Sequence, residues 1–266
     1  MSKNAAYQKF EVLRTNRNKR YRYGEFLVEG VRNINQAIRN GWQFTSLLYS
    51  PETPLSRWAQ EVLDTVSCDT HYQLSANLMQ ELSGKTDTSE LLAILRMRPD
   101  DPALLHDSPC PLYILFDRPS NHGNLGSIIR SADALGADGL ILTGHGVDLY
   151  QPEVITASMG SFFNLPAIRM ADNDTVFDWI ARQRDLHPGF QVIGTTAHKQ
   201  LNITQVDFRL PTLLMIGNET EGLCRAFKEG CDLLATIPMA DTSSASSFNV
   251  ACAATVMMYE VCRQRA

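Results

Sequence analysis

NHGNLGSIIRSADALGADGLIL, residues Asn121–Leu142, follows the apolar run PLYILFD at Pro111–Asp117. A strand, a glycine-bearing turn and a helix succeed one another, which is the layout of a nucleotide-binding βα unit. The spacing departs from the dinucleotide fingerprint, which needs GxGxxG directly after the strand and an acid about twenty residues further on. Here Gly123, Gly126 and Gly136 give only GxxG, and Asn124 and Arg130 take the prominent places. Asn124 reads as the helix N-cap, its side chain accepting a backbone N–H. The long side chain of Arg130 has the reach to turn back over the helix N-terminus. Such a cationic mouth suits a phosphate or a ribose edge. The same residues also suit an ordinary crossover helix with an exposed arginine.

Outward from this unit the chain alternates. After it come the strand-like runs GLIL, FQVIGTT, TLLMIG and LLATIPM, separated for the most part by helical stretches such as DTVFDWIARQR and the final NVACAATVMMYEVCRQR. Strand–helix alternation predicts a parallel sheet covered on both faces. Before it lies RPDDPALLHDSPCP (Arg98–Pro111), with four prolines and three aspartates, the best domain boundary in the chain. The preceding segment reads as mixed α/β: strand FLVEG, helix VRNINQAIRNG, strand FTSLLYS, helices LSRWAQEVLDTV and SANLMQELSG, and strand LLAILRM. The expected domains are 1–98, a linker at 99–110, and 111–266.

The chain is long enough, at 266 residues with 44% hydrophobic, to bury a core without staples. The six cysteines form no CxxC and have no histidine at metal-ligand spacing, so they read as reduced buried thiols, and no metal is expected. No apolar run approaches a membrane span and the start is polar, which points to a cytoplasmic protein without a membrane partner. Net charge is −5, but residues 1–24 carry Lys3, Lys9, Arg14, Arg17, Lys19, Arg20 and Arg22 against Glu11 alone, a local +6 that leaves −11 for the rest. With Tyr21 and Tyr23 interleaved, this arm suits a phosphate backbone and a stacked base, with Arg17, Lys19, Arg20 and Arg22 as the contacts to nucleic acid. A solvated basic helix start is the alternative.

Two further loops follow strands. In LLMIGNETEGLCRAF, Gly217 ends the strand and Gly222 and Leu223 enter a helix, whose N-terminus would keep Glu219 ionised. In IPMADTSSASSFNVACAATVMMYE, a hydroxyl-rich loop leads from the strand end to an apolar helix that Ser247 or Asn249 caps. All three loops fall at the carboxyl ends of expected parallel strands, where open α/β sheets bind ligands.

Their order resembles one family. NLGSIIRSA is similar to the N-x-G-x-x-x-R-x-A motif, GNETEG to G-N-E-x-x-G, and IPM…SFNV to the third motif of the SpoU-type (TrmH-like) RNA 2′-O-ribose methyltransferases of the SPOUT superfamily. ASMGSFFNLP (Ala157–Pro166) resembles another family segment, and the RYGEFLVEG region resembles its L30e-like substrate-binding domain. The resemblance implies an α/β fold with a C-terminal knotted (trefoil) parallel-sheet SPOUT domain and a smaller N-terminal L30e-like domain. It also implies S-adenosyl-L-methionine (AdoMet) as methyl donor and a homodimer whose active site draws on both subunits. Carried over position by position, Asn124, Arg130, Glu219, Ser247 and Asn249 form the catalytic set. Gly217, Ile237 and Phe248 would contact AdoMet, with Thr195 lining the same pocket. Three positions depart from the pattern: the ADTSSAS loop is longer, Ala251 stands where many relatives have a hydroxyl, and Thr220 replaces a common glycine.

The expected substrate is structured RNA, ribosomal rather than transfer RNA. A tRNA methyltransferase, a non-catalytic RNA-binding relative, a base methyltransferase and a nicotinamide oxidoreductase are the rivals. The absent GxGxxG opposes the last, and the intact polar set opposes a non-catalytic relative.

Overall fold

The computed structural model describes residues 4–83, 87–198 and 200–266. Lys3 of the basic arm and Gly84, expected at the end of a helix, lie outside them. The first elements are α1 (Ala5–Thr15), α2 (Arg17–Tyr23), β1 (Glu25–Glu29), α3 (Val31–Arg39), β2 (Phe44–Tyr49), α4 (Arg57–Thr65), β3 (Thr70–Gln73), α5 (Ala76–Ser83) and β4 (Leu91–Arg96). Then follow β5 (Leu112–Asp117), α6 (His122–Ala134), β6 (Gly139–Thr143), α7 (Pro152–Ala157), β7 (Ala167–Met170), α8 (Asn173–Leu186) and β8 (Gln191–Thr195). The chain ends with β9 (Leu201–Asn202), β10 (Thr212–Ile216), α9 (Arg225–Gly230), β11 (Leu233–Thr236) and α10 (Val250–Arg265).

The chain divides into two compact units, residues 1–98 with 148–164, and residues 99–147 with 165–266. The first therefore includes a segment that the sequence assigns to the C-terminal domain. Its mixed sheet has the order β1-β4-β2-β3, antiparallel except for the β2–β3 pair. Alternate strand residues face opposite sides. Leu27, Leu48, Leu92 and Ile94 pack with Tyr7, Phe10 and Leu13 of α1 and Leu78, Met79 and Leu82 of α5. Phe26 instead meets Trp42, Tyr150 and Phe162, ring centroids 4.9–5.8 Å apart. The 148–164 segment thus supplies aromatic core to this unit, so Phe162 and Phe163 of the family-like ASMGSFFNLP segment do packing work here.

The basic arm is not a free arm. It forms α1 and α2, capped by Asn4 and Asn16 side chains that accept from the Tyr7 and Lys19 amides. Arg20 is only 1% exposed. Its Nε and Nη2 lie 2.7 and 2.6 Å from Asp148 Oδ2, and Nη1 donates to the Leu13 and Arg14 carbonyls. The expectation that Arg20 faces RNA is corrected: its charge is spent on a buried pair that joins α2 to residue 148. Arg17 sits half-buried over the Tyr21 ring and Lys19 is half-buried, while Arg22, Tyr21 and Tyr23 are exposed.

The second unit holds a seven-stranded sheet of order β7-β6-β5-β10-β8-β11-β9, every pair parallel. On one face Tyr113, Leu115, Ile141, Leu213 and Met215 pack with Trp179, Ile180 and Phe227 of α8 and α9. The alternate residues Ile114, Phe116, Leu140, Leu142, Leu214 and Ile216 are equally buried on the other face. There α6 packs beside α10, tied to it by a 2.7 Å hydrogen bond between the Ser131 and Thr255 hydroxyls. Short β3, β7 and β9 escape a periodicity reading because so few residues cannot display one. The strand expected to end with IPM stops at Thr236. None of the six cysteines is fully buried; all are free, and Cys252 and Cys262 are exposed.

Candidate active site

Strand β5 delivers Asp117 and Arg118 to the carboxyl end of the sheet. Helix α6 begins three residues earlier than expected, because Asn121, not Asn124, is its N-cap: the Asn121 side chain accepts from the Asn124 amide at 3.0 Å. Three positions is the spacing an Asn cap needs to reach the N3 amide. Asn124 is thereby freed to use its own side chain elsewhere. Its Nδ2 donates to Glu219 Oε1 at 3.3 Å, and its Oδ1 accepts from Asn249 Nδ2 at 3.2 Å.

Glu219 sits in a tight turn after β10, closed by paired backbone hydrogen bonds between Asn218 and Gly222. Gly217 is required by close approach: a Cβ there would stand 2.2 Å from the Leu223 nitrogen. The turn does not feed the next helix directly, since α9 starts at Arg225. Glu219 is held instead by the chain leading into α6. It accepts from the Ser120 amide (2.9 Å), the Ser120 hydroxyl (2.7 Å) and the Asn121 amide (3.0 Å). Partial burial opposes its charge, but the Ser120 and Asn124 hydrogen bonds outweigh burial and keep the carboxyl below its ordinary pKa.

Asn249 caps α10, its Oδ1 accepting from the Ala251 and Cys252 amides at 2.9 and 3.3 Å. That choice leaves the NH2 side pointing at Asn124. A chain of hydrogen bonds therefore runs Asn249–Asn124–Glu219–Ser120, joining the three motif loops. Beside it lies a cleft of about 330 Å³ lined by Thr195, Gly217, Ile237, Ser247 and Phe248, with Met239 adding apolar surface. All four residues expected to touch AdoMet meet on this one wall, and Ser247 joins them. Phe248 is 45% exposed at the cleft. The volume, the apolar side chains and the exposed turn backbone fit a nucleoside with a short polar tail.

Arg130 is not part of this network. It lies exposed on α6, its side chain makes no hydrogen bond or ion pair with another described residue, and it is absent from the cleft lining. Sequence reasoning missed Ser120 and Asn121, which hold Glu219, and also Asp117 and Arg118. DRPSN, directly before the motif, contained the cap signal. Among the described residues no group of three or more His, Cys, Asp or Glu is placed to hold a metal ion. No helix of the described residues is long and apolar enough to cross a membrane.

Residues 111–259 match the SpoU rRNA Methylase family, and residues 4–93 match the SpoU L30e-like domain. The chain belongs to the SpoU rRNA methylase family. It is 45% identical over 265 residues, 99% of this chain and 91% of the other, to the 23S rRNA (uridine(2479)-2′-O)-methyltransferase of Streptomyces viridochromogenes. It superposes on the SpoU methyltransferase AviRb of that organism, solved with the cofactor AdoMet, with a TM-score of 0.92 at 45% identity and 98% of each chain covered. The AdoMet-bound rRNA methyltransferase of Sinorhizobium meliloti is also similar, with a TM-score of 0.86 at 27% identity over 100% of this chain and 97% of that one. The fold expectation is met in the mixed N-terminal sheet domain and the parallel C-terminal SPOUT sheet.

Proposed function

We propose that this protein transfers a methyl group from AdoMet to the ribose 2′-hydroxyl of a uridine in 23S rRNA. The observation that carries the reading is the Asn249–Asn124–Glu219 chain of hydrogen bonds at the rim of a cleft lined by Thr195, Gly217, Ile237 and Phe248. The full-length likeness to a 23S rRNA uridine 2′-O-methyltransferase supports ribosomal RNA over tRNA.

The cleft residues would hold AdoMet, with Ile237, Met239 and Phe248 supplying apolar surface and the 217–222 turn supplying polar backbone groups. When bound, AdoMet supplies an already activated methyl, so no metal is needed. The protein must align the nucleophile with that methyl. Asn124, Ser247 and Asn249 orient the ribose edge, and Glu219 keeps Asn124 in place. Arg130 holds the substrate phosphate and polarises the 2′-hydroxyl; it is not the base, since a guanidinium hardly deprotonates in proteins.

Arg130 works on a neighbour's cleft in this reading, within a homodimer. Ser127, Arg130 and Ala134 of α6 and Cys252, Val256 and Tyr259 of α10 are exposed on either side of the Ser131–Thr255 bond. Tyr259 is 58% and Val256 43% exposed, an apolar surface for a second copy. The N-terminal domain, residues 1–98, takes the RNA, with Arg17, Lys19 and Arg22 as contacts. The enzyme acts in the cytoplasm, with ribosomal RNA.

Labelled AdoMet with unmethylated 23S rRNA, followed by mapping of 2′-O-methyl groups, tests the proposal. One new 2′-O-methyluridine in 23S rRNA is expected. Methylation of tRNA alone, or of a base, would overturn it.

A further inference from the structure

We propose that Arg118 is a positioning residue of the methyl-donor cleft: it holds the 218–222 turn, and through it Glu219, in the shape that binds AdoMet. The inference rests on the reading of that cleft as the AdoMet site.

Arg118 has φ +50°, a left-handed conformation that a long side chain rarely adopts and that persists only where the surroundings enforce it. Three groups do so here. Its N–H donates to the Thr143 carbonyl at 3.2 Å. Its carbonyl accepts from Asn218 Nδ2 at 2.7 Å. Its guanidinium spreads over three acceptors: Asp117 at 3.2 Å, the Gly222 carbonyl at 3.0 Å, and the Glu221 carboxylate. Asp117, 2% exposed, completes the grip by accepting from the Cys224 amide at 2.8 Å and the Thr143 hydroxyl at 3.0 Å.

This dipeptide therefore holds residues 218, 221, 222 and 224, the two ends of the turn that lines the cleft. The structure also makes room for the arginine. Gly144 lies under its stem, where a Cβ would come within 2.6 Å of Arg118 Cγ. Only a fork can serve Asp117, Gly222 and Glu221 together, so lysine is an incomplete substitute. Two residues beyond Arg118 lies Ser120, which donates twice to Glu219. The same short segment thus restrains the turn backbone and the carboxylate it carries.

The test is calorimetric titration of AdoMet into wild type, Arg118→Ala, Arg118→Lys and Arg118→Gly, with denaturant midpoints and the acid limb of kcat measured in parallel. Losing the charge-assisted bonds should weaken AdoMet binding roughly tenfold in Arg118→Ala at unchanged stoichiometry. The acid limb should move to higher pH as Glu219 loses its restraint. Arg118→Lys should recover part of the affinity. Arg118→Gly should lose as much as alanine although it relieves the backbone. An unchanged Kd in Arg118→Ala would overturn the proposal. So would a loss expressed only as lower stoichiometry and midpoint, with Kd and the acid limb unmoved. A wild type that bound no AdoMet would instead sink the reading of the cleft.

Discussion

Glu219→Gln is the most informative single change at the rim. Glu219 accepts four hydrogen bonds, from the Ser120 amide and hydroxyl on one oxygen and from the Asn121 amide and Asn124 Nδ2 on the other. Both oxygens face backbone donors, so a glutamine must turn its NH2 towards one of two N–H groups in either orientation. One backbone donor loses its acceptor, at about 1–3 kcal/mol, and the surviving bonds fall from charge-assisted to neutral strength. Half-exposure lets water answer part of this, leaving about 2 kcal/mol at neutral pH. The penalty depends on pH with a determined sign. The folded carboxyl lies below its ordinary pKa, so its stabilisation is complete above the ordinary carboxylate range and is lost as pH falls through the folded value. Urea midpoints of wild type and Glu219→Gln should therefore differ clearly at neutral pH and converge as acidification protonates the folded carboxyl. Methyl transfer should fall by at least about tenfold as the bond that holds Asn124 drops from charge-assisted to neutral strength and the Ser120 amide loses its acceptor. Equal midpoints at neutral pH, or a gap that stays constant on acidification, would refute the account.

Arg130→Ala should reduce methyl transfer to below about a tenth of wild type while AdoMet affinity stays within about twofold, since Arg130 lies outside the cleft lining; calorimetry and turnover assays check the two halves separately. Arg20→Ala leaves the Asp148 carboxylate, with 1% side-chain exposure, without its cation. The loss should be about 3–5 kcal/mol, read from denaturation, and a wild-type midpoint would count against the buried pair. Arg22→Glu changes an exposed charge and should weaken RNA binding and flatten its salt dependence. Unchanged affinity and slope would remove α2 from the RNA surface. Deleting residues 1–22 is a poorer probe, because it also strips Tyr7, Phe10 and Leu13 from the core.

What the sequence made legible is what short stretches decide for themselves. The runs YILF, GLIL and TLLMI declare buried parallel strands by their unbroken apolar character, and the structure has them as β5, β6 and β10. The motif loops follow because each begins where such a run ends, and Thr195, Gly217, Ile237, Ser247 and Phe248 line one cleft. The cap of α6 was misplaced within the same few residues, since Asn121 and Asn124 are both chemically able to cap. What separates them is the partner of Asn124, Glu219, which stands 95 positions further on. Arg20 failed for the same reason on a larger scale. Locally it is one of seven basic residues in a polar segment; only Asp148, 128 positions away, turns it inward. Arg118 had no local signal either, because the Glu221 and Gly222 acceptors lie 103 and 104 positions away. An ionisable or amide side chain near a motif takes its role from whichever partner the topology brings to it. For Asn124 and Arg118 those partners come from the turn that follows β10. Arg130 is the instructive remainder: it is exposed on α6 with no side-chain partner among the described residues of its own chain, so the Arg130→Ala turnover assay, and not this chain's geometry, decides its role.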